Sequence, residues 1–211
     1  CASELRDGYW LNKHSGDFDC TIKHEPELVI VGLMGPKSRD ILSGLVIGSA
    51  QRIEDLEYYH SAEYLVNDIP IRTNRLSYVG ELGYELYVHR DQALALWRTL
   101  MAAGQSYGLK PAGMHAMNAC RMEKGYRHWG HDIHDHINPY QAGLGFAVAI
   151  NAKDQRRGPE FLGRKALTGT KGVQTQRLVS LAIDAVDAPF MLHDEPIYRN
   201  GIQVGITTSA A

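Results

Sequence analysis

Apolar positions along this chain change period several times, and each change marks an element. Residues 3–14 carry Leu5, Tyr9 and Trp10 at helical spacing. LVIVGLMG (28–35) is a short apolar run of the kind that forms a buried strand, and Gly35-Pro36 then opens a helix through PKSRDILSGLV. From Ile71 to Arg90 the pattern is β: IRTNRLSYVG, a turn at GELG, then ELGYELYVH, with Tyr84, Leu86 and Val88 on one face. Asp91 is the expected N-cap of the next helix, whose stripe is Ala93, Leu96, Trp97, Leu100 and Met101 and whose stop is Gly104. A further helix, rich in small residues, is expected from about Gly113 to Lys124, ending at Gly125. Residues 126–143 are aromatic, polar and histidine-rich without a period, which predicts an ordered loop. LGFAVAI (144–150) reads as a strand, 151–160 as an exposed connection, FLGRKAL as a short helix and 168–176 as a linker. Beyond it the pattern is β: RLVSLAI alternates, and two strand-like runs flank Asn200-Gly201, the favoured type I′ hairpin turn.

Composition narrows the classes. The 211 residues suffice for one large domain or two small ones. A net charge of -2 argues against a general nucleic-acid binder. No apolar run approaches the ~20 residues of a membrane span. Three scattered cysteines, Cys1, Cys20 and Cys120, fit a reducing compartment and offer no CxxC thiolate pair. The chain opens inside a helical pattern and stops one strand after a hairpin, so a piece of a longer chain is expected.

Candidate chemistry falls in four places. In SYVGELGYELYV, Glu85 sits mid-strand and Glu81 in the turn. A strand glutamate ordinarily faces water, yet a carboxylate on a rigid strand also suits a flat heterocycle with two adjacent N–H donors, such as a pterin edge. Tyr78 and Tyr84 are candidates to offer a ring face beside it. In NACRMEKGYRHWGHD, Arg121 lies on the last helical turn, where it either complements the helix dipole or grips a ligand edge or an acidic partner such as Glu85. Lys124 and Arg127 are either solvated or available to an anionic tail. His128, His131, His134 and His136 tempt a metal reading, but their spacing in a loop is not that of three converging ligands, and no metal is assigned. Asp7, taken alone, is a solvent-facing helix residue.

The spans YVGELGYELYV, CRMEKGYRHWGHDI, NPYQAGLGFAV and FLGRKAL occur in this order, with GPKSRDIL before them and DEPIYRNGIQVGITTSA after. Together they resemble the aminomethyltransferase (T-protein) family of the glycine cleavage system. The MEKGYRHWGHDI wording is closest to the folate-binding C-terminal module of dimethylglycine and sarcosine dehydrogenases. The resemblance implies an α+β class: a folate-binding aminomethyltransferase-like fold with the start of a C-terminal β-barrel domain. It divides the chain into a folate-binding region at 1–167, a linker at 168–176 and an incomplete barrel region at 177–211. It implies an N-terminal segment before Asp7 and a remainder of the β domain that this sequence does not contain.

The same resemblance assigns residues. Tyr78 matches the folate-site tyrosine, Glu85 the carboxylate that reads the pterin edge, Arg121 the arginine of that pocket, and Asp7 the catalytic aspartate near the folate nitrogens. Lys23 stands where the family has an asparagine. The implied activity is tetrahydrofolate-dependent capture, as 5,10-methylenetetrahydrofolate, of the carbon released when an N-methyl amine is oxidised. Tetrahydrofolate is the expected cofactor. No GxGxxG fingerprint is present, so FAD is expected only on a separate flavin dehydrogenase domain or subunit. Three alternatives stand beside this: glycine cleavage itself, with a lipoyl carrier protein as partner; a folate-binding or assembly module without turnover; and a metal-dependent hydrolase. The bacterial cytoplasm or the mitochondrial matrix is the expected location.

Overall fold

The computed structural model describes residues 3–150, 161–184, 187, 189 and 191–210. The expected connection at 151–160 lies outside the described residues. The chain divides into two compact units, one formed by 1–76 and 82–110, the other by 77–81 and 111–211.

The first unit is a five-stranded antiparallel sheet with helices against one face. Its order is β1-β5-β4-β3-β2, formed by Leu28–Met34 (β1), Val46–Ile47 (β2), Ser61–Val66 (β3), Ile69–Asn74 (β4) and Gly83–His89 (β5). The two-residue period of β5 builds the core. Tyr84, Leu86 and Val88 are buried, facing Leu33, Val31 and Val29 of β1 across the register. Ile71 and Thr73 of β4 and Tyr64 and Val66 of β3 extend that face. Helices α2 (Ser38–Ser43) and α3 (Arg90–Gly104) close it with Ile41, Leu42, Leu96 and Leu100, and the 3₁₀ turn Ile53–Asp55 adds Ile53. Helix α1 (Glu4–His14) buries no residue.

The second unit contains α4 (Met114–Glu123), α5 (Arg164–Thr170) and a two-stranded hairpin, β6 (Pro196–Arg199) with β7 (Ile202–Ile206). The hairpin turn is the expected one: Asn200 and Gly201 both have positive φ, 53° and 76°, as a type I′ turn requires. Helix α4 ends as its glycine predicts. Gly125 is left-handed at φ 69°, its N–H reaches Met122 O, and the Tyr126 N–H reaches Arg121 O, the paired bonds of a Schellman cap.

Three local expectations are corrected. LGFAVAI is not a strand but a single 3₁₀ turn, Gly145–Ala147, with Phe146 exposed; Leu144 N–H bonds back to Pro139 O, which curls the backbone where a strand would extend it. RLVSLAI forms no strand, because among the described residues no neighbouring strand takes its backbone groups, and alternation alone does not satisfy them. The cap of α3 is His89, whose ring accepts the Asp91 N–H at 3.4 Å, rather than Asp91 itself.

The opposite faces of one sheet predict opposite responses. Leu86→Ala, in the core, should cost about 2–5 kcal/mol in urea unfolding. Ile30→Ala, on the far face of β1 and half exposed, should stay within about 0.5 kcal/mol.

Candidate functional site

Glu85 and Tyr87 leave β5 on the face away from the core. The Tyr87 hydroxyl donates to Glu85 Oε2 at 3.1 Å, and the Arg72 guanidinium lies over the Tyr87 ring, 4.7 Å from its centre. Burial first, then the Glu85 charge, raises the Tyr87 phenol, so it remains a donor at neutral pH. Across the register Glu85 faces Asn74 on β4 and Gly32 on β1. The Met34 methyl lies 3.4 Å from where a Gly32 Cβ would stand, so on that flank Glu85 has a glycine with the Met34 side chain against it. Asn74 Oδ1 is shielded from solvent, and among the described residues no donor reaches it. Tyr84 is not beside Glu85, as the sequence had suggested. One residue away in a strand means the opposite face: Tyr84 is fully buried in the core, where its hydroxyl accepts from Arg39 Nε at 3.1 Å. Tyr87 takes that place.

Asp7 stands in the first turns of α1, half exposed, in a two-bond contact with Arg6 at 3.0 and 3.2 Å. Hydrogen bonds from Ser3 and Arg6 hold its carboxyl below the ordinary aspartate range. Lys23 is exposed and pairs with Glu25.

Tyr78 and Arg121 belong to the second unit. The Tyr78 hydroxyl donates to the Arg127 carbonyl at 2.7 Å, and its ring lies nearly parallel to that of Tyr126, at 10° and 6.1 Å between centres. Gly80, with φ 73°, lets the 77–81 turn pass under the Lys124 stem, and a Cβ there would fall 2.1 Å from Lys124 Cγ. Glu81 pairs loosely with the Lys124 ammonium at 3.7 Å.

Arg121 is only 1% exposed. Its Nε donates to Asn118 Oδ1 at 2.8 Å, Nη1 to the Tyr126 carbonyl at 3.0 Å and to Asp132 Oδ2, and Nη2 to Asn118 Oδ1 and Ser209 Oγ, the latter at 2.6 Å. All five N–H donors therefore have partners in the chain. The acidic partner of Arg121 is Asp132, which the sequence reading did not single out. A lone aspartate at the end of HWGHD carries no signal until the loop is folded back on α4. Asp132 also accepts the His128 N–H at 2.9 Å and the Thr208 hydroxyl at 2.6 Å. Burial works to raise the Asp132 carboxyl. The Thr208, His128 and Ser209 hydrogen bonds and the Arg121 cation outweigh it and hold the group below the ordinary aspartate value.

Several histidine rings meet one another tilted or edge-on. His128 and His131 are 4.5 Å apart, His131 and His193 5.2 Å, and His134 and His136 5.5 Å. Among the described residues no three His, Cys, Asp or Glu side chains converge as a metal site would require. The Arg127 side chain turns inward, donating to the Ala142 carbonyl at 2.9 Å and to the Gly125 carbonyl. Among the described residues no helix is long and apolar enough to cross a membrane.

Residues 2–152 match the GCVT N-terminal domain model, well over half of the chain. The chain belongs to the GCVT aminomethyltransferase family. Its relatives within this folate-dependent family include 4-methylaminobutanoate oxidase (formaldehyde-forming) of Paenarthrobacter nicotinovorans, 41% identical over 94% of this chain and 23% of the relative. Mitochondrial dimethylglycine dehydrogenase of Homo sapiens is 36% identical over 99% and 24%, and the aminomethyltransferase of Halothermothrix orenii 32% identical over 98% and 55%. The chain thus spans about a quarter of the two oxidoreductases and about half of the aminomethyltransferase. Among solved structures, the glycine cleavage system aminomethyltransferase T of Bartonella henselae superposes with a TM-score of 0.63 at 26% identity, over 80% of this chain and 43% of that one. The α+β aminomethyltransferase-like fold implied by the sequence motifs is the fold observed.

The depressed Asp132 carboxyl gives a signed pH dependence. Its stabilisation is complete above the unfolded value, near 3.8, and is lost as pH falls through the lower folded value. Urea unfolding between pH 6 and 2.5 should show this acid loss, and Asp132→Asn should flatten it while lowering stability at pH 6.

Proposed function

We propose that this chain is the tetrahydrofolate-binding module of an oxidative N-demethylating enzyme of the dimethylglycine or sarcosine type. It takes up the released carbon as 5,10-methylenetetrahydrofolate. Residues 1–167 form the folate-binding region in this reading, 168–176 the linker and 177–211 the start of a β-barrel region. A flavin dehydrogenase domain or subunit, with its FAD, supplies the oxidised carbon, in line with the oxidase and dehydrogenase names of two relatives. The enzyme works in the bacterial cytoplasm or the mitochondrial matrix.

The observation that carries the reading is the outer face of the sheet at Glu85. A pterin edge offers an amino group and a ring N–H side by side, and one carboxylate accepts both. Glu85 fits that demand: its carboxylate stands half-buried on a rigid strand, and the Tyr87 hydroxyl orients one of its oxygens. Tyr78 and Arg121 are assigned to folate binding by their match to the family motifs. Because every Arg121 donor is already held, Arg121 acts by fixing its loop rather than by reaching for the ligand.

Tetrahydrofolate supplies the two amine nitrogens that accept the carbon. The protein orients it, which removes much of the entropic barrier. Asp7 is the proposed catalytic residue. A carboxyl held below its ordinary range is ionised at neutral pH, so Asp7 stabilises positive charge on a reacting amine and accepts its proton, instead of acting as the acid.

A second reading, glycine cleavage with a lipoyl carrier protein, is favoured by the likeness to aminomethyltransferase T. The two separate on whether an aminomethyl-lipoyl carrier or an N-methyl amine drives methylenetetrahydrofolate formation in the full-length protein.

Calorimetric titration with 5-formyltetrahydrofolate should show binding that Glu85→Gln weakens by about 10- to 100-fold, the loss expected for one charge-assisted hydrogen-bonded contact. Asp7→Ala should keep that affinity and lower turnover by about 10²- to 10³-fold. Unchanged turnover in Asp7→Ala removes the catalytic assignment, and unchanged affinity in Glu85→Gln removes the pterin site.

A further inference from the structure

Three consecutive residues in the second unit each have a backbone group held by a different buried or half-buried side chain. The Tyr126 carbonyl accepts from Arg121 Nη1 at 3.0 Å, the Arg127 carbonyl from the Tyr78 hydroxyl at 2.7 Å, and the His128 N–H donates to Asp132 Oδ2 at 2.9 Å. Two of these three side chains, Tyr78 and Arg121, are the ones the family motifs assign to folate. The third carries no such assignment.

We infer that Asp132 is the positioning residue of the folate-binding loop, setting through Arg121 and the 126–128 backbone where the Tyr78 and Tyr126 rings stand. The inference rests on the folate reading above. Its physical basis lies in the loop itself. Gly125 and Gly130 both have positive φ, at 69° and 90°, and bracket a segment with no strand or helix of its own. Such backbone keeps a fixed course only where side chains take its polar groups. Asp132 is the junction of those side chains. One oxygen receives both the Arg121 guanidinium and the His128 N–H, and the other receives the Thr208 hydroxyl, while Ser209 holds Arg121 from the same C-terminal segment. Without the carboxylate, the buried guanidinium loses its counter-charge and the loop loses the anchor of residue 128. The near-parallel Tyr78 and Tyr126 rings, 6.1 Å apart, then lose their common reference. The ring pair is what an aromatic ligand would meet, since stacking partners bind through ring faces at centre spacings of roughly 4.5–7 Å.

The groups around this junction are Arg121, His128 and His131 in the loop and on α4, with Thr208 and Ser209 opposite. Burial, then the His131 and Arg121 charges, keep His128 below its ordinary value and hence neutral at pH 7. With His128 neutral, the cation that the Asp132 carboxylate answers is the Arg121 guanidinium.

The test uses the full-length protein, with titration by 5-formyltetrahydrofolate and steady-state turnover on the same preparations. Asp132→Asn should weaken folate about tenfold and raise its KM to match, with kcat at saturating folate retained. Thr208→Val, which removes a single bond to the same carboxylate, should move affinity in the same direction by a few fold, and it decides the question alone where Asp132→Asn does not fold. Leu100→Ala, a core substitution in the other unit, serves as the stability-matched control and should leave folate affinity unchanged. Wild-type affinity in both Asp132→Asn and Thr208→Val, or an equal loss in Leu100→Ala, overturns the assignment. A wild-type protein that binds no folate overturns the functional reading and this assignment together, which separates that failure from failure of the assignment alone.

Discussion

The burial of one guanidinium, that of Arg121, constrains most of what the second unit does. A charge out of water is tolerated only with its donors met and its charge answered. Arg121 has five donors, and Asn118, Tyr126, Asp132 and Ser209 supply acceptors for all of them. Each partner comes from a different stretch: the preceding helical turn, the loop after the Schellman cap, the end of that loop, and the segment beyond the β6–β7 hairpin. Satisfying one side chain thus fixes the course of three pieces of backbone. Removing one member of such a pair typically costs several kcal/mol, about 3–5, because the partner is left charged and dry. That makes the node a requirement of the fold.

In the first unit the governing constraint is the two-residue period of a strand. β5 sends Tyr84, Leu86 and Val88 into the core and Glu85 and Tyr87 to the other face. The core face cannot slip by one residue without burying a glutamate, so the apolar pattern that stabilises the sheet also fixes where Glu85 stands. Rigidity is inherited from packing. The Tyr87 hydroxyl and the Arg72 stack then limit the freedom of the carboxylate on its own face. A carboxylate placed mid-strand in this way is held more firmly than one on a loop.

Much of this was legible in the sequence, for identifiable reasons. The β5 alternation, the α3 stripe, the glycine stop of α4 and the Asn200-Gly201 turn are local signals, and each needs only its neighbours to act. The ordered motifs YVGELGYELYV and CRMEKGYRHWGHDI led to the family that the domain match shows. What failed depended on distant partners. LGFAVAI and RLVSLAI have strand-like composition, but a strand needs a second strand, and composition does not say whether one is present. Tyr84 was read as a neighbour of Glu85 because adjacency in sequence was allowed to stand for adjacency in space, which the pleat reverses. Asp132 was passed over because an aspartate in a polar loop looks solvated; its partners Thr208 and Ser209 lie more than 70 residues away. The histidine row drew attention by number, yet its rings pack edge and face against each other.

The two constraints also explain why candidate residues differ in what can be asked of them. Glu85 has one oxygen committed to Tyr87, so the other retains acceptor capacity. Asp7 is half exposed, paired with Arg6 and held below the ordinary aspartate range, and in the proposed function its charge meets the reacting amine. Arg121 retains nothing: each N–H is spent inside the chain. A residue with spare hydrogen-bonding capacity can bind; a saturated one can only position. By that criterion the arginine of the family motif belongs with Asp132 as part of the frame of the second unit, and in the proposed function the carboxylate contact with the pterin falls to Glu85.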